Sequence, residues 1–222
     1  MSVTLIAATW NELEAARVVL PRIDRKWVDE IIVVDGGSTD GTVEFCQSQG
    51  YTVFTQKERG YGAAMKEAGA MAQGELVIEF PPDGNSLPEK VPDVIKKLQE
   101  GYDFVIASRY AKGARSDDDD LLTGIGNWGF TLLTNILFGS RYTDVLVGFR
   151  GYRKGAYAKL DMTATGLDWS IQMPIQFRKK RLRVADIPAI EPARIGGVRK
   201  MRPFQTGVRI LKTLIKERCT LY

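Results

Sequence analysis

IIVVDGGSTDGT, Ile31 to Thr42, is the stretch that decides the fold. Its first five residues are a short apolar run closing on an acid, the pattern of a strand buried on both faces. Two glycines follow at once, and Asp40 then opens a helix that runs through Gln49. A buried strand, a polar turn and a helix in that order make half of a βαβ unit. Asp35 projects from the strand end, with Ser38, Asp40 and the helix N-terminus offering hydrogen-bonding groups beside it. The same residues would equally serve a plain capped turn, in which Thr39 and Asp40 only start the helix.

The pattern repeats outward from this segment. VTLIAAT (Val3 to Thr9) is an apolar strand, and Asn11 to Leu20 has helical spacing with Asn11 as N-cap. YTVFT (Tyr51 to Thr55), ELVIEF (Glu75 to Phe80) and DFVIAS (Asp103 to Ser108) are further strands, separated by helices over Tyr61 to Ala72 and Lys90 to Gln99. This alternation predicts an α/β fold with a mainly parallel, doubly wound sheet, whose ligands bind beyond the carboxyl ends of the strands. After Arg109 the alternation stops. A polar loop from Ala111 to Asp120 ends in DDDD, and a long helix covers Leu122 to Phe138. VLVGFRGYR (Val145 to Arg153) and RLRVADIP (Arg181 to Pro188) read as strands, Asp168 to Lys179 as a helix, and Gln205 to Glu217 as a basic amphipathic helical extension. With no internal repeat and no dividing linker, residues 1–222 are expected to form one domain.

Composition excludes several chemistries. The chain has no histidine, which removes Ser-His-Asp and Cys-His catalysis and every histidine-containing metal site. General bases must come from Asp, Glu, Lys or Tyr. A bound metal must sit among oxygen ligands, which favours Mg2+ or Mn2+. Cys46 and Cys219 make no disulfide framework, and the cytoplasm is the expected compartment. Met1 to Ala8 enters a strand without a basic leader, so no signal peptide is expected. No apolar uncharged run long enough to span a bilayer is expected either. The net charge of +4 is uneven: Arg178 to Arg218 holds thirteen Lys and Arg against three Asp and Glu. That stretch is either a solvated basic face or a surface for an anionic partner. Interleaved exposed aromatics are not expected in it, which argues against nucleic acid.

FPPDGNSLPE (Phe80 to Glu89) follows the fourth strand. A carboxylate at Asp83 and an amide at Asn85 suit one hard cation that also holds a diphosphate, or else a simple Pro-Asp-Gly-Asn turn. GIGNWG (Gly124 to Gly129) matches a dinucleotide pattern but follows an acidic loop instead of a strand, so its glycines read as small residues for close helix packing. The four consecutive aspartates at Asp117 to Asp120 read as a mobile solvated loop.

Taken in order, seven segments resemble the family 2 glycosyltransferases of GT-A fold, and among them the polyprenyl- and dolichol-phosphate sugar synthases. They are TWNE (Thr9 to Glu12), VDGGSTDGT (Val34 to Thr42), RGYGAAMKEAGAMAQGE (Arg59 to Glu75), PPDGNSLPE, IASRY (Ile106 to Tyr110), DVLVGFRGYRK (Asp144 to Lys154) and RIGGVRK (Arg194 to Lys200). The resemblance implies a nucleotide-sugar-binding half over 1–110 and an acceptor-binding half over 111–222. It implies that Thr9, Asn11, Glu12 and Asp35 line the donor pocket. Asp83 and Asn85 would hold the metal, and Arg109, Arg194 and Lys200 would meet phosphates. The implied acceptor is a polyprenyl phosphate or a glycan hydroxyl, and the implied stereochemistry is inversion. A phosphate attacks without deprotonation; a hydroxyl needs a base, for which Asp144 and Asp168 are the candidates. Peripheral association with the inner face of a membrane would suit a lipid acceptor. The chain departs from the family pattern at Gly36, Tyr61, Pro81 and Arg199, where the family carries Asp, Lys, Asp and Ser. A catalytically weakened nucleotide-sugar or lipid-phosphate binding module is therefore the alternative. A nucleotidyltransferase is disfavoured because Ala7 to Glu12, after the first strand, contains no glycine.

Overall fold

The computed structural model describes residues 1–196 and 201–220. Among the described residues nine strands form: β1 Val3–Thr9, β2 Glu30–Asp35, β3 Thr52–Thr55, β4 Leu76–Glu79, β5 Phe104–Ser108, β6 Arg115–Ser116, β7 Arg150–Arg153, β8 Val184–Pro188 and β9 Ile190–Glu191. The α-helices among the described residues are α1 Leu13–Val19, α2 Thr42–Ser48, α3 Tyr61–Met71, α4 Val91–Gln99, α5 Leu121–Phe138, α6 Lys154–Tyr157, α7 Trp169–Lys179 and α8 Pro203–Cys219. Seven strands make one sheet in the order β3-β2-β1-β4-β7-β5-β8, and β6 pairs with β9 apart from it.

The strand interiors are apolar because both faces are covered. Leu5, Ile6, Ile32, Val33, Val77, Ile78, Phe104 and Val105 are all fully buried. α3 packs on β1 and β2, and α4 packs across β4, β5 and β7. All strand pairs in the large sheet are parallel except those of β7, which is antiparallel to β4 and β5. The long α5 excursion explains the exception. It returns the chain to the carboxyl edge of the sheet, where Arg150 pairs with Glu79 at the tip of β4. From there the strand can run only backwards.

Several sequence expectations need correction. The strand expected over Val145–Arg153 is confined to Arg150–Arg153, and the residues before it turn beneath the sheet edge. Asn11 does not cap α1. Its φ of 50° is left-handed, and Glu12 occupies the cap position without a side-chain cap bond. The glycines of GIGNWG do not serve close packing: a Cβ on Gly124, Gly126 or Gly129 would meet nothing within 4 Å. α5 is also an uncharged helix of 18 residues, long and apolar enough to cross a bilayer by length and composition. The expectation of no such segment overlooked it because its Thr, Asn and Gly residues dilute the apolar run.

Candidate active site

The site is assembled from the turns beyond β1, β2 and β4, as a parallel sheet requires. Asp35 is buried at the tip of β2. It accepts from Thr9 Oγ1 at 3.0 Å, from Ser38 Oγ at 2.5 Å, and from the N–H groups of Gly37 and Ser38 at 2.8 and 2.7 Å. Four donors use most of its lone-pair capacity, so Asp35 shapes the turn that carries Gly36 and Gly37. Asn11 locks the facing turn to this one. Its N–H donates to Ser38 Oγ at 2.7 Å, and its Oδ1 accepts from the Thr39 N–H at 2.8 Å. Asp40 fastens α1 to α2 by accepting from the N–H groups of Leu13 and Thr42. Thr9, Asn11, Glu12 and Asp35 are thus brought together on one ledge. Trp10, which sequence reasoning did not single out, stands half exposed on it, and a Cβ at Gly36 would lie only 3.2 Å from the Trp10 Cβ. The Asp of the family pattern would crowd that indole.

Next to the ledge, one guanidinium joins the two halves of the chain. Arg194 Nη2 donates to Asp83 Oδ2 at 2.7 Å, and Nη1 donates to Glu12 Oε1 at 3.3 Å. The backbone N–H of Asn85 donates to Asp83 Oδ1 at 3.2 Å. Ile195 lies over this turn, with its N–H on the Asp83 carbonyl at 3.1 Å. Gly84 makes the approach possible: its φ is +91°, and a Cβ there would lie 2.6 Å from the Ile195 side chain. Lys200 lies outside the described residues.

The DDDD segment is not a free solvated loop, contrary to expectation. Asp118 accepts from Asn85 Nδ2 at 2.7 Å and from the Arg194 N–H at 3.4 Å. Asp119 accepts from the Tyr110 hydroxyl, and Asp120 caps α5 through the Thr123 N–H at 2.7 Å. The loop therefore brings a further carboxylate, Asp118, to the Asp83 turn. A run of like charges gives no sign of this, because the convergence is made by the fold.

Two atoms beside Asp83 test the fit of a divalent cation and a diphosphate. Asn85 Oδ1, an acceptor, and Arg194 Nε, a donor, are buried and have no hydrogen-bond partner among the described residues. Such groups are costly unless a ligand completes them. A bare oxygen beside a carboxylate suits a hard cation, and a bare guanidinium N–H suits a phosphate oxygen. No three carboxylates among the described residues converge into a metal cage.

Arg109, expected to meet phosphate, is instead enclosed. Its Nε and Nη2 make a bidentate pair with Asp144 at 2.7 and 3.0 Å, and Nη1 reaches Glu191 at 3.4 Å and Asp119 at 3.8 Å. Burial opposes its charge, but Asp144 and Glu191 raise its pKa well above the ordinary range. Asp144 has no exposed surface and also accepts from the N–H groups of Arg109, Leu146 and Val147. A carboxylate so enclosed and so fully bonded is placed to anchor Arg109. Asp168 lies elsewhere, at the contact of α7 with α8. It pairs with Arg209 Nε at 2.9 Å and accepts from Thr213 Oγ1 at 3.0 Å. Among the described residues it shares no hydrogen bond or ion pair with the Asp83 or Arg109 groups.

This architecture, a mainly parallel sheet flanked by helices with an acidic turn after β4, is that of the GT-A glycosyltransferases. The family profile "Glycosyl transferase family 2" matches residues 4–161, and the chain belongs to that family. It is 31% identical over 215 residues to the dolichyl-phosphate hexose transferase of Haloferax volcanii, covering 96% of this chain and 92% of that one. The polyprenol monophosphomannose synthase of Mycolicibacterium smegmatis is 24% identical, with 96% and 84% covered. Among solved structures, glucosyl-3-phosphoglycerate synthase from Mycobacterium tuberculosis, in complex with Mn2+, uridine diphosphate and phosphoglyceric acid, shares the fold. Its TM-score is 0.76 at 20% identity, with 100% of this chain and 80% of that one covered.

Proposed function

We propose that this glycosyltransferase moves a hexose from a nucleoside-diphosphate sugar to a polyprenyl phosphate, with inversion, at the inner face of a membrane. The observation that carries this reading is the pairing around Asp83 of a buried acceptor, Asn85 Oδ1, with a buried donor, Arg194 Nε, neither of them partnered among the described residues. Asp83 and Asn85 would hold Mg2+ or Mn2+, whose charge offsets the one that develops on the leaving diphosphate. Arg194 exchanges its carboxylate partners for phosphate oxygens as the donor enters. Thr9, Asn11, Glu12 and Asp35 hold the nucleoside ledge, and Arg109 acts by fixing the 144–147 loop beside the site.

The acceptor follows from what the site lacks. A sugar hydroxyl needs a base, but Asp144 is enclosed and Asp168 is tied to α8. A phosphate monoester is already ionised near neutral pH and needs none. The named activity of the Haloferax relative, a dolichyl-phosphate hexose transferase, supports the same class of acceptor.

Transfer from labelled nucleotide sugars to polyprenyl phosphate, with unphosphorylated polyprenol as control, tests this reading, and the anomeric linkage of the product tests inversion. Asp83→Asn should keep the fold and lose both transfer and Mn2+-dependent stabilisation by nucleoside diphosphate. At about a hundredfold excess over Kd, that stabilisation should be roughly 3 kcal/mol, or about 5–10 °C in Tm, for the wild type. A variant that binds metal and nucleotide like the wild type overturns the site. Nucleotide-sugar binding without transfer to any phosphate acceptor would favour the weakened binding module that Pro81 suggests.

A further inference from the structure

A surface helix in water turns its apolar residues inward. α4 does so, burying Val91, Val94, Ile95 and Leu98 and leaving its lysines outward. α5 is the reverse. It buries Thr123, Asn127, Thr131, Thr134 and Phe138, four of them polar. The inward polar groups are satisfied within the fold: Asn127 Nδ2 donates to Tyr110 Oη, and Thr134 Oγ1 donates to the Phe130 carbonyl. Outward stand Leu121, Leu122, Ile125, Trp128, Leu132 and Ile136, from 41% to 82% exposed.

α8 packs beside α5, where Phe130 lies 3.7 Å from the Cβ position of Gly207. It continues the surface with Phe204, Val208, Leu211 and Ile215, again one helical face, with Phe204 84% exposed. Ten of the seventeen exposed large hydrophobic residues among those described lie on these two helices, so they form a patch and are not scatter.

The charges around the patch say what covers it. α5 carries none. Every exposed charge on α8 and its cap is basic: Arg202, Arg209, Lys212, Lys216 and Arg218. Its one acid, Glu217, is buried against Gln172, Gln176 and Lys179. A second copy would bring these cations against one another, whereas anionic lipid accepts both the cations and the apolar stripe. α5 cannot cross the bilayer while its Thr and Asn face is bonded into the domain, so it lies in the interface plane. α5 begins near the site: Asp118, on Asn85, is two residues from its cap.

We propose that α5 and α8 form one membrane-docking face, which seats the mouth of the active site on anionic lipid with both helices lying flat. The face bears on the acceptor proposed above, but it rests on the two helices alone and is tested without donor or acceptor. The full chain should float with phosphatidylglycerol-containing vesicles at low salt and less so as salt rises, and only weakly with neutral vesicles at either salt concentration. Ile125→Glu combined with Leu211→Glu should weaken binding by roughly tenfold or more, because charges replace the inserted stripe. Val18→Glu, at an exposed apolar position on α1, should not. Tryptophan emission should shift to the blue on anionic vesicles, and Trp128→Phe should remove the shift. The double variant should still bind nucleoside diphosphate, which separates a failed docking face from a failed transferase site. The proposal falls if the wild type stays off anionic vesicles at low salt or if the double variant binds them equally. It also falls if the double variant instead abolishes a concentration-dependent dimer in sedimentation velocity.

Discussion

Arg109 and Arg194 both hold carboxylates at the carboxyl end of the sheet, and they do so in opposite ways. Arg109 is bidentate on a fully buried Asp144 and reaches Glu191 and Asp119 with what remains. Arg194 makes one bond to Asp83 and one to Glu12, is 20% exposed at its side chain, and leaves its buried Nε without a partner among the described residues. The first arrangement spends three of its five N–H donors on the carboxylates of Asp144 and Glu191 and is closed to a ligand by burial. The second is incomplete in the way that a site which exchanges partners must be. A motif names an arginine and an acid in either case; only burial and the count of remaining donors separate scaffold from binding group.

The sharpest way to break this comparison is Asp144→Asn. The amide would point a donor at the Arg109 fork and leave a buried guanidinium with only Glu191 and Asp119 to offset it. Removing one partner of such a pair costs about 3–5 kcal/mol. In a domain of this size that is a fall in Tm of roughly 6–20 °C. Thermal unfolding of the apo protein measures it. A loss of transfer activity with unchanged stability would restore Asp144 as a base and reverse its assignment as an anchor.

Arg194→Gln should do the converse, with a smaller effect. Apo stability should hardly move, because the pair is partly exposed and singly bonded. Binding of nucleoside diphosphate should weaken roughly tenfold, as the loss of a charge-assisted bond implies, while binding of the nucleoside alone stays unchanged. Calorimetry with both ligands decides the point; equal losses for the two would place Arg194 on the nucleoside.

The same distinction marks what could be read from the chain. The apolar runs placed β1 to β5 nearly to the residue, because burial on both faces of β1, β2, β4 and β5 leaves a continuous hydrophobic signature, while the edge strand β3 is only half buried. The turns after β1, β2 and β4 were legible as the binding edge. The direction of β7 was not, since it depends on where α5 returns the chain. Periodicity located α5 but not which of its faces turns inward, and the polar face won because its Asn and Thr residues find partners in the fold. Asp118 was invisible for a related reason: its convergence with Asp83 is tertiary, whereas Asp117 to Asp120 in sequence are only a charge run.

A third buried pair gives the smallest effect and the finest discrimination. Glu79, at the tip of β4, has no exposed surface; Trp169 Nε1 donates to it at 3.1 Å, and Arg150 Nε stands 3.6 Å away. Arg150 spends its other nitrogens on the carbonyls of Val147 and Ser170. Burial raises the Glu79 pKa from 4.5 to about 7, against the smaller opposing pull of Arg150 and Trp169. The folded state then holds a proton that the unfolded chain releases near 4.5. The stability from this group is full below that value and is lost as pH rises from 4.5 through about 7. Glu79→Gln keeps the shape of the neutral acid, so it should cost less than about 1 kcal/mol at mildly acidic pH. It should also flatten the decline in Tm towards neutral pH and leave the variant relatively more stable above it. Melting curves of both proteins across that range supply the measurement. Parallel pH profiles would mean that Arg150 keeps Glu79 ionised, and the pair would then belong with Arg109 and Asp144 as a permanent salt bridge.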